Sequence, residues 1–384
     1  SGQVLVHLSC SGQVLVHVSC SGLVLVHLSC SGQSVVLGGG RVIKKTMIQD
    51  QNILNSKQIH ADTYNRALMN NPSKRRAFLQ GCALAMGSSL VPRLHQKATA
   101  RDSLDHDRSQ RFSVSTYSFW QFRGPKVPIE TCIDQASRMN FDGLEILEMQ
   151  MTDSSNSYIQ QLKRRAHSQG LALCGFSTHQ GFVSPDSTRR QDNIKKTIAS
   201  IEQAYRLGIP TMRINTGRWG TIKSFDALMA NRGIEPRLEG YTDDDAYKWV
   251  IQSIEECLPV AEKCGVVLGL ENHWGLGRTA AGVLKIIGAI KSPWLQATLD
   301  TGNFLEDMYQ QMEALAPAAC FVQAKTYNGG GTWYTLDIDY PQVATILHDA
   351  GYRGWVSLEF EGKDDPLIAI PKNLKLLRHA FDRQ

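Results

Sequence analysis

The chain has 384 residues, with 41 Lys and Arg against 36 Asp and Glu, and a formal net charge of +5 at pH 7. Residues 1–100 hold ten of the basic and only two of the acidic residues, which leaves 31 basic and 34 acidic residues in 101–384. A mildly acidic body argues against a large nucleic-acid-binding surface.

The N-terminus contains a ten-residue unit that occurs three times: SGQVLVHLSC, SGQVLVHVSC and SGLVLVHLSC. Apolar and polar residues alternate in it with the period of a β-strand, which is compatible with a small stacked β repeat. The favoured interpretation is a translated tandem repeat upstream of a start at Met47 or Met69. We therefore expect residues 1–68 to be a leader outside the main fold.

Residues 69–100 have the layout of an export signal. Arg75 and Arg76 precede Phe78-Leu79, a weakly apolar stretch follows at 81–92, and Ala98-Thr99-Ala100 forms a cleavage site. This order is typical of a signal peptide and not of a transmembrane segment, and it resembles a twin-arginine signal. We expect the twin-arginine export machinery to deliver the protein to a bacterial periplasm, with a mature chain that starts at Arg101 and has no transmembrane segment. Replacing both arginines with lysine should abolish export of a reporter fused to 69–100.

The cysteines of the body are widely spaced on apolar segments and form no C-x-x-C pair. Buried free thiols are therefore favoured over disulfides or a zinc site. They are Cys132, Cys174, Cys257, Cys264 and Cys320.

From residue 111 onward, short β-rich runs alternate with helical patterns. The predicted strands are 113–118, 143–147, 172–177, 211–215, 266–272, 295–300, 320–325 and 355–359. The predicted helices are 129–139, 156–169, 188–207, 243–264, 279–290, 306–315, 340–350 and 366–381. Such alternation implies a parallel sheet, and eight units fit a (β/α)8 barrel, typically ~250 residues long, as a single domain within 101–384. A doubly wound sheet would require a glycine-rich phosphate loop after the first strand, and 117–120 (YSFW) is nothing like one.

Polar residues cluster where these strands end, which is where barrels of this type carry their active sites. Carboxylates on several strands must converge on one mouth and repel each other, and a divalent cation is the simplest way to relieve that repulsion. The strand-end residues are Glu145, Glu148, His179, Asn215, Arg218, Glu271, His273, Asp300, Asn303, Gln323, Lys325, Glu359 and Glu361.

Five strand-end motifs, GLE at 143–145, GLENH at 269–273, LDTGN at 299–303, VQAK at 322–325 and SLEFE at 357–361, resemble the xylose-isomerase-like barrel superfamily of sugar isomerases and epimerases. The resemblance covers about 111–382. It implies a metal ion with ligands Glu271, Asp300, Gln323 and Glu359, although the strand-seven ligand is usually His. An all-oxygen set suits Mn²⁺ or Mg²⁺ better than Zn²⁺, and we expect Mn²⁺.

In this scheme Glu271 and Glu359 exchange the substrate proton, and Lys325 helps to hold the developing oxyanion. Substrate contacts are expected from the remaining strand ends and their loops, with loop 218–242 as a lid or binding segment. The residues are Glu145, His179, Asn215, Arg218, Trp219 and His273. A homo-oligomer is left open.

The leading function is a metal-dependent isomerase or epimerase that acts on a sugar or sugar derivative through a metal-bound enediolate. One alternative is a lyase or hydrolase that uses the same enolate chemistry on 3-keto-glycosides. A non-catalytic sugar-binding barrel also stays open, mainly because of Gln323. A nuclease like endonuclease IV is disfavoured, because only His179 and His273 lie at strand ends and the body is acidic.

Overall fold

The computed structural model describes residues 3–9, 14–19, 24–30, 33–37 and 110–382. The predicted export segment 69–100, its cleavage site and both candidate start residues lie outside this part. The chain divides into two compact units, Ser1–His106 and Asp107–Gln384. Within the described residues, no helix is long and apolar enough to cross a membrane.

The N-terminal repeat forms a four-stranded sheet of β1 (Gln3–Ser9), β2 (Val14–Ser19), β3 (Val24–Cys30) and β4 (Gln33–Leu37), in the order β2-β1-β3-β4. Strand β1 pairs antiparallel with β2 and parallel with β3, where Val4 faces Val24. The strand period seen in the sequence is therefore confirmed. The assignment of residues 1–68 to a dispensable leader stays a prediction.

The second unit is a closed barrel of eight parallel strands. They are β5 (Arg111–Ser115), β6 (Gly143–Leu147), β7 (Ala172–Ser177), β8 (Thr211–Ile214), β9 (Val267–Glu271), β10 (Leu295–Asp300), β11 (Ala319–Thr326) and β12 (Trp355–Phe360). Closure joins β12 to β5, with Val356 opposite Phe112. The (β/α)8 prediction is confirmed, and an open doubly wound sheet is excluded.

The barrel is surrounded by helices that bury their apolar faces against the strands. They are α1 (Tyr117–Trp120), α2 (Ile129–Arg138), α3 (Asn156–Ser168), α4 (Ser187–Leu207), α5 (Phe225–Ala230), α6 (Asp243–Cys264), α7 (Ala280–Ile290), α8 (Met308–Leu315), α9 (Tyr340–Asp349) and α10 (Pro366–Phe381). Both ends of helix α6 have clear sequence signals. Thr242 and Asp245 form a capping box at the start, and Gly265 ends the helix with a φ of 66°.

The long connection after β8 is ordered and carries α5. It forms a small apolar cluster of Leu228, Met229 and Trp274, separate from the main core. Gly233, with a φ of +73°, lies directly on the indole of Trp274, so that a Cβ there would collide with the ring. This contact packs the loop against Trp274, three residues after the end of β9. All five body cysteines are free, as predicted, and three of them are buried.

Candidate active site

A cavity of about 490 Å³ opens at the carboxyl ends of the barrel strands. Its inner residues are charged and buried: the exposed fraction is 1% for Glu271, 5% for Lys325 and 7% for Arg213. Its outer residues are aromatic and more exposed, among them Phe225 and Trp333. The cavity therefore has a polar interior and an apolar rim, the usual composition of a small-molecule site.

Glu271, at the end of β9, is held by three donors. Arg213 Nη1 lies 2.9 Å and Asn215 Nδ2 2.6 Å from its Oε2, and Asn303 Nδ2 lies 3.3 Å from its Oε1. These three donors fix the position of the carboxylate at the end of the strand.

Arg213, in the middle of β8, is a site residue that the sequence reasoning missed. Besides Glu271 it contacts Thr178 O at 3.1 Å and His179 Nε2 at 3.1 Å. A signal was available, because an arginine inside the buried strand Thr211–Ile214 lies two residues before Asn215 and so points to the same side.

His179 and His273 line the same wall as Arg213. Removal of water from the rings lowers the pKa of both imidazoles below the ordinary value, and the neighbouring Arg213 guanidinium lowers it further. Both histidines are therefore neutral at pH 7. They can donate or accept hydrogen bonds to a polar ligand, but they add no positive charge to the cavity.

Lys325, on β11, extends into a ring of oxygen atoms. Its Nζ lies 3.0 Å from Asp300 Oδ2, 3.5 Å from Glu359 Oε2 and 3.6 Å from Glu361 Oε1, and it donates to Asn303 Oδ1 at 3.0 Å. Burial opposes the charge, but Asp300, Glu361 and Glu359 together raise the pKa of Lys325 well above its ordinary value. The barrel thus places a protonated ammonium among three carboxylates.

Glu145 lies in the buried interior of the barrel and does not line the cavity. It accepts hydrogen bonds from Ser177, from Gln323 Nε2 at 2.7 Å and from Ser357 Oγ at 2.7 Å. Burial, and then the charge of Glu359, raise its pKa to about 7. The predicted substrate contact of Glu145 is therefore replaced by an internal hydrogen-bond network.

Three further residues that were predicted to bind substrate contact other parts of the protein instead. Arg218 donates to Glu235 at 2.7 Å and to Ile222 O at 2.8 Å, which fixes the loop after β8. Trp219 is buried against Trp249, with ring centroids 6.1 Å apart. Neither residue lines the cavity, and Asn215 acts through Glu271. Of the six predicted substrate-binding residues, His179 and His273 lie at the cavity surface.

The aromatic rim comes from the loop that carries α5 and from the loop that follows β11. Phe225 and Trp333 pack edge to face with centroids 4.7 Å apart, and Trp333 Nε1 donates to Asp226 at 2.6 Å. Tyr334 packs at 6.3 Å from Trp274. These contacts join the loop after β8 to the loop after β11 on one side of the cavity. The predicted role of 218–242 as a binding segment fits this position.

The sequence profile of the xylose isomerase-like TIM barrel family matches residues 133–380, more than half of the chain. The chain belongs to this family. Among curated protein sequences, no relative matches. The superfamily resemblance inferred from the strand ends is thereby confirmed.

Solved structures with this fold include enzymes of different reaction types. The chain is similar to the 3-keto-D-glucoside 4-epimerase YcjR from E. coli, with 19% identity and a TM-score of 0.56 over 71% of this chain and 100% of that one. It is similar to the D-psicose 3-epimerase from Clostridium cellulolyticum H10, with 18% identity and a TM-score of 0.51 over 71% of this chain and 96% of that one. It is also similar to the probable 3-DHS dehydratase AsbF from Bacillus anthracis, with 18% identity and a TM-score of 0.53 over 69% of this chain and 99% of that one. At these identities the likeness shows the fold alone.

The metal site implied by the family resemblance does not fit the side chains of this barrel. Gln323 Nε2 donates to Glu145 and leaves the amide oxygen without a hydrogen-bond partner, so this residue does not decide the question. The two protein cations do, because Glu271 is paired with Arg213 and Lys325 is paired with both Asp300 and Glu359. Within residues 110–382, no group of three or more His, Cys, Asp or Glu has metal-binding geometry. The expected Mn²⁺ quartet is corrected to a set of carboxylates compensated by protein cations.

Proposed function

We propose that the protein is a sugar isomerase or epimerase that moves a proton at a carbon next to a carbonyl group. The observation that supports this best is the presence of Glu271, Lys325 and Glu359 on one cavity surface, on three different strands. A base, a cation for the developing oxyanion and a second carboxylate are what enolisation requires. The reactions named for the structural neighbours YcjR and D-psicose 3-epimerase, both epimerisations, are in keeping with it.

Glu359 is the better placed base. In the described part of the chain its carboxylate is paired with Lys325 alone, at 3.5 Å, and it lines the cavity. Glu271 already accepts three hydrogen bonds. Since a carboxylate offers about four acceptor sites, Glu271 is better suited to orient a substrate hydroxyl through its remaining site, while Glu359 can return the proton that it has taken.

The substrate is proposed to be an uncharged sugar or glycoside. Arg213 and Lys325 are the basic residues of the cavity interior, and both are already paired with carboxylates. A phosphate group would add negative charge beside Glu359 and Glu361, where repulsion is strong at low effective dielectric. The aromatic rim offers faces and edges for the C–H surfaces of a sugar ring.

A lyase or hydrolase acting on 3-keto-glycosides is the second candidate. The observation that favours it is the rim formed by Phe225, Trp333 and Tyr334 at the outer end of the cavity. An apolar aglycone could pack there while the sugar reaches Glu359. The same first step, proton removal next to the keto group, would then be followed by loss of the aglycone instead of proton return.

Solvent-exchange measurements distinguish these proposals. Ketoses, aldoses and 3-keto-glycosides are incubated with the full chain in D₂O, and NMR follows deuterium at the carbon next to the carbonyl and any aglycone release. An isomerase or epimerase incorporates deuterium without release, whereas a lyase releases the aglycone. Isomerisation without exchange would point to a hydride shift and would contradict the carboxylate mechanism. Sugar binding with neither exchange nor conversion would indicate a non-catalytic barrel.

A further inference from the structure

The position of Lys325 Nζ is the one that a bound cation would occupy. Four oxygen atoms surround it: carboxylate oxygens of Asp300, Glu359 and Glu361, and the amide oxygen of Asn303, all within 3.6 Å. Carboxylate and amide oxygens are the ligands of hard divalent cations. Here the same type of oxygen set surrounds an ammonium group that belongs to the chain.

The lysine is fixed in this position by its surroundings. Its backbone N–H donates to Thr301 Oγ1 at 3.0 Å, and its carbonyl accepts from Tyr340 at 2.6 Å. Its aliphatic stem passes over Gly302, where a Cβ would lie 2.5 Å from Lys325 Cδ. The side chain is therefore accommodated by the turn that follows β10.

A second protein cation, Arg213, is paired with Glu271, the remaining carboxylate that was expected to bind metal. Arg213 Nη1 lies 2.9 Å from Glu271 Oε2, with both side chains buried. A divalent ion among these carboxylates would face the guanidinium on one side and the ammonium on the other. Like charges at such short range in a poorly solvated site repel strongly. Entry of the ion would require Lys325 to leave its oxygen ligands.

We propose that Lys325 is the resident cation of this site and takes the place of the divalent ion implied by the fold family. This proposal rests on the proposed function for its chemical role. When Glu359 removes the proton, the electrons of the C–H bond form the C=C bond and the carbonyl π electrons move to oxygen. Lys325 donates a hydrogen bond to that oxygen and keeps all its protons, and return of a proton to carbon restores the carbonyl.

Metal binding tests the proposal without any substrate. The full chain is incubated with MnCl₂ and desalted, bound manganese is measured by mass spectrometry, and free Mn²⁺ in titrations is measured by EPR. The comparison is between the wild type, Lys325→Met, which keeps the length of the stem but removes the charge, and Lys363→Met. Lys363 is an exposed lysine close to the β12 end and serves as the matched control.

The wild type and the Lys363→Met variant should retain no manganese. Lys325→Met should bind one equivalent with at least about tenfold higher affinity, because it frees the carboxylates of their counter-ion. One tightly held equivalent in the wild type would overturn the proposal, and so would a Lys325→Met variant that folds and binds no better than the wild type. If that variant does not fold, the wild-type measurement still decides. Failure of this proposal can be told apart from failure of the proposed function. The proposed function fails if no sugar exchanges deuterium with the solvent, and that result does not depend on how much manganese is bound.

Discussion

The two sides of the barrel mouth neutralise their carboxylates differently. On the β8–β9 side, Arg213 is paired with Glu271, and Asn215 and Asn303 donate two further hydrogen bonds to that carboxylate. On the β10–β12 side, a single cation, Lys325, is shared among Asp300, Glu359 and Glu361. One side is balanced, and the other has excess negative charge.

This difference separates a positioning role from a reactive one. A carboxylate that already accepts several hydrogen bonds is held firmly in place, whereas one with few donors keeps lone pairs for a substrate proton. The sequence motifs alone make Glu271 and Glu359 look equivalent, since both are strand-end glutamates. The side chains around them make Glu359 the expected base and Glu271 the expected anchor. The following substitutions test that contrast.

Glu359→Gln should have the largest effect on turnover. It removes the expected base while keeping the size of the side chain, so kcat should fall by about two to four orders of magnitude. Lys325 retains Asp300 and Glu361, so stability should change by less than about 1 kcal/mol. Steady-state kinetics and urea unfolding of the same preparation measure both. A variant that retains more than a tenth of the activity would rule out Glu359 as the base.

Glu271→Gln should instead be the most destabilising of these changes. Removing one charge of a buried pair leaves Arg213 uncompensated, which costs on the order of 3 kcal/mol. Urea unfolding at pH 7 measures this loss, and Glu359→Gln is the matched control. Equal stability of the two variants would show that the two sides of the mouth are not electrostatically different.

The raised pKa of Glu145 predicts that the free energy of unfolding depends on pH. Its pKa rises from 4.5 to about 7 in the folded chain, so the folded state holds this proton more tightly than the unfolded state. Its contribution is most favourable below pH 4.5 and is lost as pH rises to about 7, by on the order of 3 kcal/mol. The unfolding free energy of the wild type relative to Glu145→Gln should fall by that amount over this range. A difference that does not vary with pH would contradict the raised pKa.

Trp333→Ala should have the smallest effect, confined to binding. Trp333 lies at the rim, where its indole N–H donates to Asp226 and not to the carboxylates of the cavity interior, so KM should rise by about tenfold or less while kcat stays nearly constant. Tyr205→Ala serves as control, because Tyr205 is exposed on α4 and does not line the cavity. A fall in kcat as large as that of Glu359→Gln would place the rim in the chemical step.

The fold could be predicted closely because its signals are local. Strands β6, β7 and β10 match their predicted bounds, and glycines with positive φ, such as Gly208 and Gly265, end the preceding helices. The site was only partly predictable, since its partners are far apart in the chain. Gln323 donates to Glu145, 178 residues away, and no local pattern in the sequence indicates that these two side chains meet.

Gly302 limits which substitutions this site tolerates. Its missing side chain leaves the space that the Lys325 stem occupies, so positions 302 and 325 are sterically coupled. A side chain at position 302 would therefore push the lysine stem out of its present path, and with it the ammonium group out of its ring of oxygen atoms. In this chain the glycine after the β10 aspartate and the lysine of β11 form a steric pair, so that a change at 302 is also a change in where the charge of Lys325 lies.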